Sequence, residues 1–133
     1  MIALDTNVLL RYVLDDDDRH SEAARHLIDD LCDPDAPAFV HEVAMAEFVW
    51  VLTGRRGTSR AEIAGICRTL MDNSHLSFRD VTGLSAALDA YEDGPADFAE
   101  YLIAAQSRNL GAAPTFTFDT AALKSPGFAK VES

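Results

Sequence analysis

The sequence lacks the features of membrane-spanning, disulfide-stabilised and zinc-binding proteins. It contains no run of about eighteen apolar residues, so it predicts no transmembrane segment. Cys32 and Cys67 have no C-x-x-C partner, and two buried thiols are a simpler expectation than a disulfide. The four histidines show no H-x-x-x-H spacing, which argues against zinc. The apolar start has no basic first region and is interrupted by Asp5, so we expect a cytoplasmic protein without a signal peptide.

Basic residues are also scarce. There are 22 acidic residues against 11 basic ones, which gives a formal net charge of −11. This balance argues against nonspecific binding of nucleic acid through a basic surface. It suits divalent cations or a basic protein partner, and it also simply keeps a protein soluble. A local basic patch requires the fold to bring together five arginines, namely Arg11, Arg55, Arg56, Arg60 and Arg68.

The length of 133 residues and the apolar content of 48% predict one domain, residues 1–133, with one core. Strand patterns occur at residues 1–4, 38–40, 76–78, 115–118 and 128–131. Helical patterns occur at residues 7–14, 19–32, 41–53, 60–73, 82–92 and 97–110, and Asp119 opens a short last helix. We expect residues 15–18, four aspartates in a row, to break the first helix and cap the second. The alternation predicts an α/β fold with a parallel sheet and helices on both faces.

Two aspartates directly follow strand patterns. Asp5 follows MIAL, and Asp119 follows TFTF. In open α/β sheets, sites form beyond the carboxyl ends of strands, so both carboxylates would share one sheet edge if their strands are neighbours. Aspartate is also a favoured N-cap and both residues precede helices, so capping is an equally good interpretation of either one alone.

A glutamate interrupts an apolar helix pattern. Glu47 is the one charged residue in VAMAEFVWVL, and its helical neighbours at three and four residues are all apolar. An unpaired buried carboxylate is costly, and a bound cation would compensate for that cost. The alternatives are an ion pair with an arginine or a side chain that reaches the surface. The nearest basic residues, Arg55 and Arg56, lie two turns further on, which favours the buried interpretation.

Asp97 begins another predicted helix, three residues before Glu100, which is close to the spacing of a capping box. Capping is therefore one interpretation of Asp97. The small residues Ala104 and Ala105 would let this helix pack closely on the sheet, with Asp97 directed toward the strand ends.

Four carboxylates in one place repel one another, so such a cluster needs protons or cations. A set of oxygen ligands without histidine or cysteine suits Mg²⁺ or Mn²⁺. Two such ions about 3.5–4 Å apart can hold a phosphodiester and activate a water for in-line attack. The candidate site residues are therefore Asp5, Glu47, Asp97 and Asp119.

These motifs together resemble those of the PIN-domain nucleases, and most closely the VapC-type toxins of toxin–antitoxin pairs. The resemblance covers nearly the whole chain. It begins with IALDTNVLLRYVL, continues with AEFVWVL and ADFAEYLIAAQSRNLGA, and ends with TFTFD. A single motif such as LDTN would say little, whereas four motifs in the correct order form a fairly specific pattern.

The resemblance implies an α/β/α sandwich with a central parallel sheet and Mg²⁺- or Mn²⁺-dependent cleavage of RNA. It assigns the metal and catalytic roles to Asp5, Glu47, Asp97 and Asp119. It assigns Asn7 and Thr117 to orienting the ligands or water, with Thr6 in a similar role and Glu100 as an additional contact. It also implies a homodimer that a cognate antitoxin holds inactive.

Three alternatives to a toxin ribonuclease stay open. The first is a PIN nuclease of RNA processing, which a neighbouring antitoxin gene would exclude. The second is phosphoryl transfer through an aspartyl phosphate on Asp5, although Asn7 stands where the usual second acid would be. The third is a PIN-like module that only binds a partner, and intact acids at all four positions argue against it.

Overall fold

The computed structural model describes residues 1–14 and 18–132. The strands are β1 (Ile2–Ala3), β2 (Ala38–Val40), β3 (Leu76–Phe78), β4 (Thr115–Thr117) and β5 (Phe128–Lys130). The helices are α1 (Thr6–Val13), α2 (Asp18–Arg25), α3 (Glu42–Thr53), α4 (Arg60–Met71), α5 (Val81–Asp93) and α6 (Phe98–Asn109). A π-helical segment, His26–Leu31, extends α2, and a 3₁₀ turn, Ala122–Lys124, follows β4.

The predicted element order is confirmed, and most boundaries agree within two residues. The predicted helix at residues 19–32 corresponds to α2 together with the π-helical segment. Asp18 is the first residue of α2, whereas Asp15 to Asp17, which we expected to act as a break and a cap, lie outside the described residues.

The strand pairs are parallel, as the sequence predicts. In the described residues the strands form two sheets, one with the order β1-β2-β3 and one that pairs β4 with β5. Among the described strands, β1 is therefore hydrogen-bonded to β2 and not to β4. Asp5 and Asp119 therefore do not follow neighbouring strands of one sheet, which was the condition under which we expected them at the same edge.

The first strand is largely exposed, although its sequence is a short apolar run. Ile2 is 46% exposed, and only Leu4, directly after β1, is buried. An edge strand of two residues has one partner strand and little cover, so its side chains stay accessible. Phe116 of β4 is exposed for the same reason, because its sheet has only two strands.

The core lies between the helices and β2. It contains Met45 and Phe48 of α3, Leu84 and Leu88 of α5, and Ile63 of α4, all essentially inaccessible. None of the described helices is long and apolar enough to cross a membrane.

Both cysteines are free and buried, as expected. Burial raises the pKa of the Cys67 thiol to about 12, because a thiolate would be poorly solvated there. The thiols therefore act as small apolar core groups.

Candidate active site

Asp5 lies between β1 and α1 and serves as the N-cap of that helix. Its Oδ1 accepts a hydrogen bond from the Thr6 backbone N–H at 2.7 Å. The capping interpretation of Asp5 is thus confirmed, but it involves one oxygen of an exposed carboxylate. Capping and ligand binding are therefore compatible roles for this residue.

Thr6 connects the Asp5 turn with Glu47. The Thr6 hydroxyl donates to Glu47 Oε1 at 2.9 Å, across 41 positions of sequence. Thr6 itself is buried, with 8% of its surface exposed, so its hydroxyl is held in place by packing. This bond orients Glu47 toward the start of α1, which is the kind of role that the resemblance implies for Thr6.

Glu47 itself is exposed, which corrects our expectation of a buried carboxylate. α3 buries the face that carries Met45, Phe48 and Leu52, whereas Glu47 shares the opposite face with exposed Val43 and Trp50. Glu47 therefore carries no desolvation cost for which a cation would have to compensate. The surface alternative describes the residue correctly, with Thr6 as its polar partner.

Glu47 and Asp97 line the same surface pocket, of about 240 Å³. Its walls are α3, with Glu47 and Trp50, and the first turn of α6, with Phe98. Asp97 occupies the N-cap position of α6, but its side chain makes no capping hydrogen bond. Capping therefore does not account for the Asp97 carboxylate, which lies exposed at the positive end of the helix dipole.

Asp119 lies in a tight turn after β4. Its Oδ1 accepts from the backbone N–H groups of Ala121 and Ala122, at 2.8 and 3.3 Å. Its own N–H donates to Thr117 Oγ1 at 3.0 Å, so the Thr117 hydroxyl holds the turn. In the described residues no hydrogen bond joins Asp119 to Asp5, Glu47 or Asp97.

The remaining predicted residues lie beside this group. Asn7 is exposed and lines a separate pocket between α1 and α2, of about 490 Å³, together with Arg11 and His20. Glu100 is half-buried in the first turn of α6, one turn after Asp97.

The donor chemistry of the four acids suits a hard divalent cation, because all of the ligands are carboxylate oxygens. Within residues 1–14 and 18–132, however, no three His, Cys, Asp or Glu side chains stand close enough together to form a ready-made metal site. The four acids therefore suit a divalent cation in the type of their ligand atoms and in their accessibility. To coordinate them together, the cation would have to draw the carboxylates closer to one another.

Sequence reasoning missed a second polar cluster, which centres on Glu42 at the start of α3. Glu42 is 3% exposed, and its Oε1 accepts from Arg79 Nη2 at 2.8 Å and Nε at 3.0 Å. Gln106 of α6 donates to the same oxygen at 3.3 Å and to Asp80 Oδ2 at 3.1 Å. Asp80 in turn caps α5 through the Gly83 N–H at 3.0 Å. The cluster ties α3, α5 and α6 together.

The electrostatics of Glu42 follow from these contacts. Burial alone would raise the pKa of its carboxyl group, but backbone N–H donation at the helix start and Arg79 outweigh burial and lower the pKa. Its Oε2 is buried without a hydrogen-bond partner in the described structure, and His41 Nδ1 lies 3.6 Å away. In the sequence, an acidic residue in the first turn of a helix is already explained by its favourable interaction with the helix dipole. The sequence therefore provides no reason to expect a buried cluster around Glu42.

Comparison with known proteins identifies the family. A family model of the PIN domain matches residues 2–128, so the chain belongs to the PIN-domain family. PIN domains are generally nucleases that use divalent metal ions, and a PIN nuclease domain implies an RNA substrate. No curated protein matches the chain.

Proposed function

We propose that this chain is an Mg²⁺- or Mn²⁺-dependent endoribonuclease and the toxin of a VapBC-type toxin–antitoxin pair. The observation that carries the nuclease proposal is the Thr6 to Glu47 hydrogen bond, together with the pocket that Glu47 shares with Asp97. These contacts link three of the four acids, which come from three separate segments of the chain. PIN-family membership supplies the reaction class.

Each acid would retain an oxygen for a ligand. Asp5 and Asp119 use their Oδ1 atoms for backbone N–H groups, and Glu47 uses Oε1 for Thr6. The Thr6 and Thr117 hydroxyls restrict the orientation of Glu47 and of the Asp119 turn. When bound, a divalent cation would polarise a phosphoryl oxygen and lower the pKa of a water molecule. Mutual repulsion of the carboxylates would keep the cation-free site open.

The test is cleavage of total cellular RNA by the purified chain with Mg²⁺, with Mn²⁺ and with EDTA. Asp5→Asn is the matched variant, because asparagine also caps helices and so preserves the start of α1. We expect metal-dependent cleavage that this variant lacks. Metal binding without cleavage would favour the competing function, a PIN module that only binds a partner.

The toxin role rests on the motif resemblance described above. Induction of the chain in a bacterial host should arrest growth, Asp5→Asn should abolish the arrest, and a small protein encoded beside the gene should relieve it. An inhibitor with a basic segment would complement the net charge of −11 and the four acids. Growth arrest that Asp5→Asn retains would contradict this role.

We propose that the homodimer forms through the exposed face of α3, at the rim of the pocket that Trp50 lines with Glu47 and Asp97. Val43, Trp50 and Val51 are 59%, 66% and 43% exposed and follow one stripe of the helix. Trp50 is the single tryptophan of the chain, so its fluorescence reports burial of this stripe directly. We expect a dimer mass by light scattering, a blue-shifted emission at higher concentration, and a monomer for Trp50→Ser. A monomer at all concentrations would exclude the dimer.

A further inference from the structure

The charge of the chain is unevenly distributed. Residues 98–133 contain three acidic residues and three basic ones, so the net charge of −11 resides in residues 1–97. The neutral part comprises α6, β4, β5 and the 3₁₀ turn. A polyanion would therefore meet less repulsion from the residues of this part than from the rest of the chain.

Several basic residues elsewhere are committed to internal contacts. Arg60 donates to the carbonyl groups of Tyr91 and Ala96 at 3.0 and 2.6 Å. Arg68 pairs with Asp89 at 2.7 Å and with Glu92. Two of the five arginines considered from the sequence are thus unavailable as a basic patch, and Arg79 is bound to Glu42.

Two cations of the neutral part line one pocket. Arg108, in the last turn of α6, and Lys124, in the 3₁₀ turn, both border a cavity of about 440 Å³. Neither side chain forms an ion pair or a hydrogen bond with another of the residues that the structure describes. Asp93 is the one carboxylate among the described lining residues, so the wall carries a net positive charge.

Two hydroxyl groups in the same wall contact each other. The Tyr101 oxygen accepts from the Ala96 N–H at 3.1 Å and lies 2.7 Å from Ser125 Oγ. One of the two hydroxyl protons makes this contact, and the other is left for a ligand in the pocket that both residues line. Two cations and one donor hydroxyl form a set that suits a phosphate group.

We propose that this pocket, defined by Arg108, Lys124 and Ser125, binds a backbone phosphate of the RNA substrate. The inference rests on the proposed ribonuclease function. The pocket borders the start of α6 as well as its end, because Gly94 and Pro95, three and two residues before Asp97, line it together with Arg108. A phosphate held there would offset the repulsion between the acidic chain and its substrate beside the segment that leads to Asp97.

The test measures binding rather than cleavage. A short fluorescein-labelled oligouridylate is titrated with the Asp5→Asn protein in Mg²⁺, by anisotropy, over a series of KCl concentrations. Arg108→Gln and Lys124→Gln are introduced singly and together in that background, with circular dichroism as the fold control. Arg56→Gln is the matched control, because it removes one positive charge from a turn outside the pocket.

We expect each pocket variant to weaken binding roughly threefold to tenfold and to reduce the slope of log affinity against log salt by about 0.7. Ser125→Ala should weaken binding by about twofold without changing the slope, because it removes no charge. Inorganic phosphate that competes more strongly than chloride at equal ionic strength would show that the pocket also accepts free phosphate. Its failure to compete would restrict the pocket to the RNA phosphodiester.

Pocket variants with the parental slope, or with the same change as Arg56→Gln, would overturn the inference while leaving the nuclease proposal intact. Absence of RNA binding by the Asp5→Asn protein would also overturn it. Conversely, a slope change at the pocket in a chain whose wild type cleaves no RNA would support the phosphate site and contradict the nuclease alone.

Discussion

Glu42 and Glu47 lie five residues apart on α3, yet their surroundings differ in every respect. Glu42 is 3% exposed and bound by Arg79 and Gln106, whereas Glu47 is exposed and bound by the Thr6 hydroxyl. The buried carboxylate joins helices, and the exposed one faces a pocket with Asp97. Burial of a charge therefore marks the structural residue here, and accessibility marks the candidate catalytic one.

The largest expected effect is that of Glu47→Gln on cleavage. The amide keeps an acceptor for Thr6 but loses the negative charge that a cation requires, so we expect the cleavage rate to fall at least a hundredfold. Thermal stability should change by less than about 0.5 kcal/mol, since the residue is at the surface. The measurement is RNA cleavage in Mg²⁺ beside a melting curve. A variant that cleaves normally would remove Glu47 from the site.

Thr6→Val tests the link between the Asp5 turn and Glu47. Valine has nearly the same shape, but it cannot donate to Glu47, so we expect cleavage to slow about tenfold to a hundredfold. Thr6→Ser retains the hydroxyl and should recover most of the rate. Steady-state kinetics on one RNA substrate decide the matter, and equal rates for valine and serine would show that the hydrogen bond has no role in the reaction.

The contrast between the two glutamates also shows where sequence reasoning succeeds. β2 and β3 were predicted with their observed boundaries, because short apolar runs bounded by loop residues leave few alternatives. Ser59 accepts from the Glu62 N–H at 3.1 Å, and its S-x-x-E spacing is itself a pattern that indicates the start of a helix. Such local patterns depend on neighbouring residues, which the sequence displays directly.

The face of α3 could not be predicted in the same way. The helix is apolar on all sides, so its hydrophobic pattern does not distinguish the core face with Phe48 from the surface face with Trp50. Glu42 was missed because its partners, Arg79 and Gln106, are 37 and 64 positions away. The division of the strands into two sheets likewise depends on tertiary packing, which the local sequence pattern does not reveal.

Glu42→Ala should affect stability rather than catalysis. It removes the acceptor for Arg79 and Gln106 and leaves a cavity at the start of α3, so we expect a loss of about 2–4 kcal/mol. Glu42→Gln preserves the shape and one acceptor and should cost about 1 kcal/mol. Urea unfolding measures the free energy of unfolding of each variant. Cleavage per folded molecule should remain near that of the wild type, and a large loss of activity in folded Glu42→Gln would place this cluster in the catalytic machinery instead.

The smallest expected effect is on the pH dependence of stability. The pKa of Glu42 is lower in the folded chain than its ordinary value of 4.5, because helix-start N–H donation and Arg79 outweigh burial. Its contribution is therefore fully present above pH 4.5 and is lost as the pH falls through the lowered value. The stability difference between wild type and Glu42→Gln should be constant from neutral pH to about pH 5 and should shrink below that range. Urea midpoints at a series of pH values test this, and a difference that grows in acid would mean that the folded pKa is raised, so that burial, rather than Arg79, dominates the carboxyl group.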